Sequence, residues 1–374
     1  MKRILFITGT RADFGKIKRL MTFVEQSDDF ELNVFVTGMH MLQRYGGTFR
    51  EVLKEGYVKV YLQSNQYLNE PMSSVLGNTI SILSKLTEEL KPDLIVVHGD
   101  RLEAMAGATV GALSNTLVCH IEGGELSGTV DDLIRHSVSK LAHIHMVSNL
   151  EAKNRLIQMG EDPTKIYIIG SPDLDVMCSD DLPTINEVKE KYEIEFNQYA
   201  ICMFHPVTTE YHSFSEYAHQ FFKAIVQSRQ NYILIYPNND SGSEFIIEQI
   251  ELLRDNPNIR IFPSIEFESF LVLLKSSQFI IGNSSAGIRE APFYGVPTVN
   301  VGTRQNKRFF SLSIANCCYD TNEIVRAIEQ SLSLGGVEKS NAFGNGDSLE
   351  LFKEAINSTN FWDTPLQKNF MEIP

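Results

Sequence analysis

The run Leu-Ile-Val-Val-His-Gly-Asp-Arg (94–101), an Ala/Gly-rich segment after it, Leu-Val-Cys-His-Ile-Glu-Gly-Gly-Glu (117–125) and Gly-Thr-Val-Asp-Asp-Leu-Ile-Arg-His (128–136) decide the fold of this chain. Two apolar runs of strand length each end on a carboxylate, with a loop or helix start behind it. In an open parallel α/β sheet, ligands bind beyond the carboxyl ends of the strands. Asp100 and Glu122 are therefore expected to face one crevice, joined by Asp131 or Asp132 from the next helix start. Several acids around one cleft, with Arg101, Arg135 and His136 near them, suit proton transfer.

Working outward, Arg3–Thr8 is a β-rich apolar run that ends in Thr8-Gly9-Thr10-Arg11. A helix beginning near Asp13 would place Lys16 on its first turn beside Arg11, an arrangement that suits a phosphate or substrate loop. A solvated helix N-terminus is the bland alternative, because Gly9 alone carries little information. The loop is neither a G-x-G-x-x-G fingerprint nor a Walker loop. Further strands are read at Leu32–Val36, Val58–Leu62, Leu94–His98, Leu117–Ile121, His145–Val147 and Ile166–Ile169. Amphipathic segments lie between them at Ile17–Glu25, Met41–Leu53, Val75–Leu90, Leu102–Leu113, Leu133–Leu141 and Ala152–Met159. Such alternation predicts a parallel sheet with helices on both faces. Thr37-Gly38-Met39-His40 follows a strand end and either lines the crevice or is a polar turn.

Gly170-Ser171-Pro172-Asp173 breaks the pattern, so a linker is placed between about Gly170 and Pro183. The Asp173/Asp175 pair reads as a helix cap before it reads as catalytic. Strands resume at Tyr199–Phe204, Tyr232–Ile235, Ile259–Phe262, Phe279–Gly282 and Thr298–Val301. Domains at 1–175 and 183–347 follow, with a helix and tail over 348–374 that could cross back to the first. His205, directly after a strand, is a better site candidate than His212 or His219, which fall on a solvent-facing helix. Asn283-Ser284-Ser285-Ala286-Gly287-Ile288-Arg289-Glu290 puts small and hydroxyl residues between a strand and a helix, where backbone N–H groups can approach phosphate. Helix capping by Ser284 or Ser285 is the plain alternative. Glu290 could accept hydrogen bonds from ribose hydroxyls, and Arg304 adds a cation. Phe267 and Phe270 read as helix core rather than as a base-stacking platform.

Bulk properties narrow the class. The chain has 374 residues, too many for one ordinary core. With 43% hydrophobic and 21% charged residues it reads as soluble and globular. A formal charge of −14 argues against nucleic acid or an anionic membrane as the main partner, though local cations and helix N-termini can still bind an anionic small ligand. Cys119, Cys178, Cys202, Cys317 and Cys318 show no C-x-x-C spacing, so a reducing cytoplasm and no zinc or other metal site are expected. No signal peptide or bilayer-length apolar run is read. Apolar faces near Leu76–Leu90 suit a dimer contact or burial within one chain equally well.

With these residues in hand, the chain resembles the UDP-N-acetylglucosamine 2-epimerases, and most closely their hydrolysing, sialic-acid-pathway branch. The resemblance rests on Gly9-Thr10-Arg11 with Asp13 and Lys16, His98-Gly99-Asp100-Arg101, and His120-Ile121-Glu122-Gly123-Gly124-Glu125. Asp131-Asp132 with Arg135-His136, Gly170-Ser171-Pro172-Asp173, His205-Pro206 and Asn283–Pro292 complete it. It implies an α/β fold of two Rossmann-like domains facing a cleft, of the GT-B type, with UDP held mainly by the second. By the same resemblance Arg11 and Lys16 contact the sugar-phosphate end, Ser284, Ser285 and Gly287 the diphosphate, and Glu290 the ribose. His205 faces the phosphates, and Asp100, Glu122 and Asp131 are the catalytic acids. The other branch has Arg-Pro-Glu in the first loop and Glu-Ala-Gly-Leu-Arg after the fifth strand. Arg11-Ala12-Asp13 and Glu122-Gly123-Gly124-Glu125-Leu126 depart from both and fit the hydrolysing branch.

The implied reaction takes UDP-N-acetylglucosamine to N-acetylmannosamine and UDP by elimination to 2-acetamidoglucal and then hydration. It needs no redox cofactor, because no net oxidation state changes, and no cofactor is expected. A cytoplasmic homodimer or homotetramer is expected. The alternatives are hydrolysing epimerisation of UDP-2,4-diacetamido-2,4,6-trideoxyglucose, a GT-B glycosyltransferase, and a nucleotide-sugar-binding regulator without turnover.

Overall fold

The computed structural model describes residues 1–306 and 308–372. Its inner strands form where short apolar runs are buried on both faces, as the middle of a covered parallel sheet requires. In the first sheet these are β1 (Lys2–Thr8), β2 (Phe30–Val36), β3 (Val60–Leu62), β4 (Leu94–His98), β5 (Leu117–Ile121), β6 (Ile144–Val147) and β7 (Ile166–Ile168). All pairs are parallel, in the order β3-β2-β1-β4-β5-β6-β7. Every residue of β4 and β5 is buried, and His98 stands in register with Ile121. The order reverses direction between β1 and β4, which is where a sheet of this kind opens its crevice.

The second sheet comprises β8 (Ala200–Met203), β9 (Tyr232–Ile235), β10 (Ile259–Phe262), β11 (Ile280–Gly282), β12 (Thr298–Val301) and β13 (Ile314–Cys317). Its order is β10-β9-β8-β11-β12-β13, again parallel, with the reversal between β8 and β11. Its core stacks Phe204 on Phe221, ring centroids 4.1 Å apart. Phe267 and Phe270, on the helix Phe267–Lys275, are buried as well.

The chain divides into two units: Met1–Glu125, Asp131–Cys178 and Ala342–Pro374, against Leu126–Val130 and Ser179–Asn341. Residues 342–347 thus leave the second domain to which the sequence assigned them. The reason is specific: Ser171 N–H donates to Phe343 O at 2.8 Å, and Asp175 caps the helix Ser348–Asn357 through the N–H groups of Ser348 (2.8 Å) and Leu349 (2.6 Å). Phe352, Ile356 and Phe361 then join the first unit's core, and Trp362 stacks on Phe30. The tail continues to Met371, whose N–H meets Gly160 O at 3.0 Å.

Two other expectations are corrected, and one strand is added. Met41–Leu53 is not one amphipathic helix: two 3-10 turns (Gly38–Met41, Gln43–Tyr45) precede a short helix Phe49–Lys54, interrupted at Gly46 and Gly47, both with positive φ. β13 adds an edge strand in which only Ile314 is buried, too weak an apolar signal to read. The first helix runs Arg11–Gln26, starting before Asp13, because Thr10 and Asp13 form a reciprocal capping box. Lys16 consequently sits on the second turn, not the first.

Candidate active site

In the first unit, the ends of β4 and β5 set the acids. Glu122, one residue past β5, has φ +65°. For a residue with a Cβ that conformation costs about 1–2 kcal/mol and persists only where the surroundings impose it. Here its N–H donates to Met146 O at 2.9 Å and its carbonyl accepts from Arg135 Nη1 at 2.8 Å. The side chain is thereby turned into a buried polar cluster. Oε1 accepts from Ser171 Oγ at 2.7 Å, lies 3.3 Å from His98 Nε2 and 3.9 Å from Lys16 Nζ.

Arg135 is 1% exposed and ties the cluster to its neighbours. The same guanidinium pairs with Asp100 and lies 3.8 Å from Glu125, whose other oxygen accepts from Ser148 Oγ at 2.9 Å. Asp131 occupies the first turn of the helix Val130–Leu141, half-buried, one turn before Arg135 and so on the same helical face. Asp132 pairs with His136 at 3.6 Å, and Arg101 lies 3.7 Å from Glu103. Beneath the loop that carries Asp100, His120 Nε2 donates to Gly99 O at 2.8 Å and Nδ1 accepts from Ser139 Oγ at 3.0 Å. Burial drives the His120 pKa down to about 3, so the ring is neutral and can hold only that arrangement.

The expected phosphate loop differs from its reading. Its Gly9 and Thr10 N–H groups point at Asp13 oxygens (3.0 and 3.2 Å), and Thr8 Oγ1 joins them at 2.5 Å. Those two donors serve the helix's own carboxylate. Arg11 makes a two-point ion pair with Glu51, Nε to Oε2 being 2.9 Å. Lys16 is buried, with Nζ 3.1 Å from Asp173 Oδ2.

In the second unit, His205 and Asn283 form a reciprocal pair across the β8 and β11 ends: His205 N–H donates to Asn283 Oδ1 at 2.7 Å and Asn283 Nδ2 to His205 O at 2.8 Å. The Asn238 N–H points at His205 Nδ1 at 3.0 Å, so that nitrogen accepts and the neutral ring carries its proton on Nε2. Ser284 Oγ accepts from Ala286 N–H at 3.3 Å, so it caps the turn Ser285–Gly287. Gly287 has a packing reason: a Cβ there would stand 2.7 Å from Thr298 Cγ2, and Gly287 O accepts from Thr298 Oγ1 at 2.7 Å. Glu290, the first residue of the short helix Glu290–Tyr294, is buried beside Arg289. Arg304 and Gln305 both donate to Asn283 O, at 3.3 and 2.9 Å.

Sequence reading assigned no part to His98 or Ser171, and it treated Asp173 as a cap. The signal available for Asp173 was Pro172-Asp173 at a helix start, which is also how a cap reads. Among the described residues no group of three or more His, Cys, Asp or Glu is placed to hold a metal ion, and no helix is long and apolar enough to cross a membrane.

The profile of the family described as UDP-N-acetylglucosamine 2-epimerase matches residues 23–357. A protein of Neisseria meningitidis serogroup B named UDP-N-acetylglucosamine 2-epimerase is 56% identical, over 100% of both chains. A Legionella pneumophila protein named UDP-N,N'-diacetylbacillosamine 2-epimerase (hydrolyzing) is 32% identical over 94% of each. The solved UDP-GlcNAc 2-epimerase of Methanocaldococcus jannaschii, in complex with UDP-GlcNAc and UDP, superposes with a TM-score of 0.79 at 20% identity, covering 95% of this chain and 99% of that one. That last likeness establishes the fold: two parallel-sheet α/β units of the GT-B-like type.

Proposed function

We propose that this chain, which belongs to the UDP-N-acetylglucosamine 2-epimerase family, works as a hydrolysing epimerase that converts UDP-N-acetylglucosamine and water into N-acetylmannosamine and UDP. The observation that carries the reading is the buried Glu122, in contact with Ser171 and His98 and tied through Arg135 to Asp100. A carboxyl group takes the C2 proton, the C2–H electron pair becomes the C1–C2 double bond, and the C1–O pair leaves with UDP. The oxygen of water then bonds to C1 and its proton passes to a carboxylate, while the C1–C2 electron pair takes a proton at C2 from a carboxyl group on the opposite face. Two faces need two proton carriers, which is why Asp100, Glu122 and Asp131 are assigned to the work jointly.

The C2 proton is not acidic, so the departing diphosphate has to be stabilised as its charge develops. We assign that to the second unit's 283–290 segment with His205, whose Nε2–H suits an anionic oxygen, and to Arg11. Glu290 takes the ribose. N-acetylglucosamine is preferred to the diacetamido sugar because the 56% identical relative carries that name. The hydrolysing outcome is preferred because the Legionella relative's name states it.

The test follows products in deuterated water. Free UDP with N-acetylmannosamine deuterated at C2 supports the reading. Reversible formation of UDP-N-acetylmannosamine without free UDP overturns it.

A further inference from the structure

Lys16 is shared. Its ammonium lies 3.1 Å from Asp173 Oδ2 and 3.9 Å from Glu122 Oε1, a direct ion pair on one side and a looser one on the other. Asp173 itself is wholly buried, at 0% exposure, in the first turn of the helix Pro172–Met177. A buried ion pair is a poor device for stability, since desolvating both charges offsets most of their attraction. A second carboxylate placed in contact with the lysine beside Glu122 therefore calls for a reason in the chemistry of Glu122.

We infer that Asp173 is a positioning residue for Glu122: it draws the Lys16 ammonium to itself, so that Glu122 has only a share of that charge and its carboxyl titrates closer to neutrality than it would beside Lys16 alone. This deepens the epimerase reading and rests on it for its catalytic meaning. A carboxyl that must both take and return a proton works best with its pKa near the operating pH. An unshared lysine at the same place would lock Glu122 as the anion, because a nearby opposite charge lowers a carboxyl pKa by roughly one to three units.

Besides Lys16, the groups that face Glu122 include His98, Ser171 and Arg135, each from a different element. His98, from the end of β4, stands 3.3 Å away, and Ser171 donates a neutral hydrogen bond. Arg135 gives its Nη1 to the Glu122 carbonyl and pairs with Asp100, with Glu125 at 3.8 Å, so its charge is matched by other acids.

The experiment titrates the Glu122 carboxyl directly, by infrared difference spectroscopy on the ligand-free full chain, the band being assigned by its loss in Glu122→Gln. Asp173→Asn keeps the shape and removes the competing charge, so the midpoint should fall by about one pH unit. Lys16→Gln removes the shared cation and should move it the other way, while Lys16→Arg keeps the charge and should leave it near the original value. The pH–rate limb for UDP release should move down with the band in Asp173→Asn. A folded Asp173→Asn whose band stays put or rises overturns the inference. If that variant does not fold, an unmoved or lowered midpoint in Lys16→Gln overturns it. Because the band is read without substrate, wild-type protein that releases no UDP would sink the epimerase reading alone.

Discussion

Lowering the pH from 7 to 5 should remove about 4 kcal/mol from the first unit through two buried histidines alone. Burial pushes His40 down to about 4 and His120 down to about 3, against an ordinary value of 6.5. Because both folded values are depressed, the unfolded chain binds these protons first. The stabilisation is full above 6.5 and is lost as pH falls toward the folded values. At pH 5 the deficit is about 1.5 pH units for each ring, and at 1.36 kcal/mol per unit this comes to about 2 kcal/mol apiece. His143 and His145 are also lowered, by burial, and act in the same direction. Glu161 does not offset the loss. Burial raises its pKa, but His145 and Lys368 lower it more, to about 2, so it stays ionised throughout this window. Against a typical stability of about 5–15 kcal/mol the effect is large. The chain's single tryptophan, Trp362, stacks on Phe30 within this unit, so urea unfolding followed by its fluorescence reads the right transition. His120→Gln should lose about 2 kcal/mol less than wild type between the two pH values. A wild-type stability that changes by less than about 1 kcal/mol from pH 7 to 5, or a His120→Gln slope identical to wild type, refutes the reasoning.

Glu122→Gln should slow UDP release by about 10²–10⁴-fold with Trp362 unfolding little changed, and near-normal turnover would remove Glu122 from the proton transfer. Gly38→Ala should destabilise by about 2 kcal/mol or more, read in urea, because φ is +64° and the new Cβ would lie 2.7 Å from the backbone oxygen of Gly9. Lys368→Met should cost about 3 kcal/mol, since Lys368 pairs with the buried Glu161 and donates to the carbonyls of Ser139, Lys140 and Ala142; a thermal midpoint equal to wild type would show that Lys140 and His145 suffice.

Much of the architecture was legible because parallel strands are buried on both faces and so read as plain apolar runs. Leu94–His98 and Leu117–Ile121 have the bounds the sequence suggested. β13 was not legible: at an edge only one residue in four needs burial. The start of the first helix was legible in principle, since Thr10-x-x-Asp13 is a capping-box pattern, yet placing the start at Asp13 moved Lys16 onto the wrong turn. The path of 342–372 depends on Asp175 capping a helix far along the chain, and no local pattern announces a cap at that separation.

The candidate site divides along the same line. Which residues stand at strand ends is local information, and Asp100, Glu122 and His205 are found by it. Which charge meets which is not. Arg11 and Lys16 read from sequence as cations available to an anionic ligand, and Arg135 as a neighbour of the acids, but each has a carboxylate partner: Glu51, Asp173 and Asp100. A phosphate reaching Arg11 would therefore have to compete with Glu51, whereas Lys16, buried between two acids, is better placed to set their protonation than to greet a ligand. Arg11, Lys16 and Arg135 are matched to acids of this unit first, so the reaction proceeds from that matching.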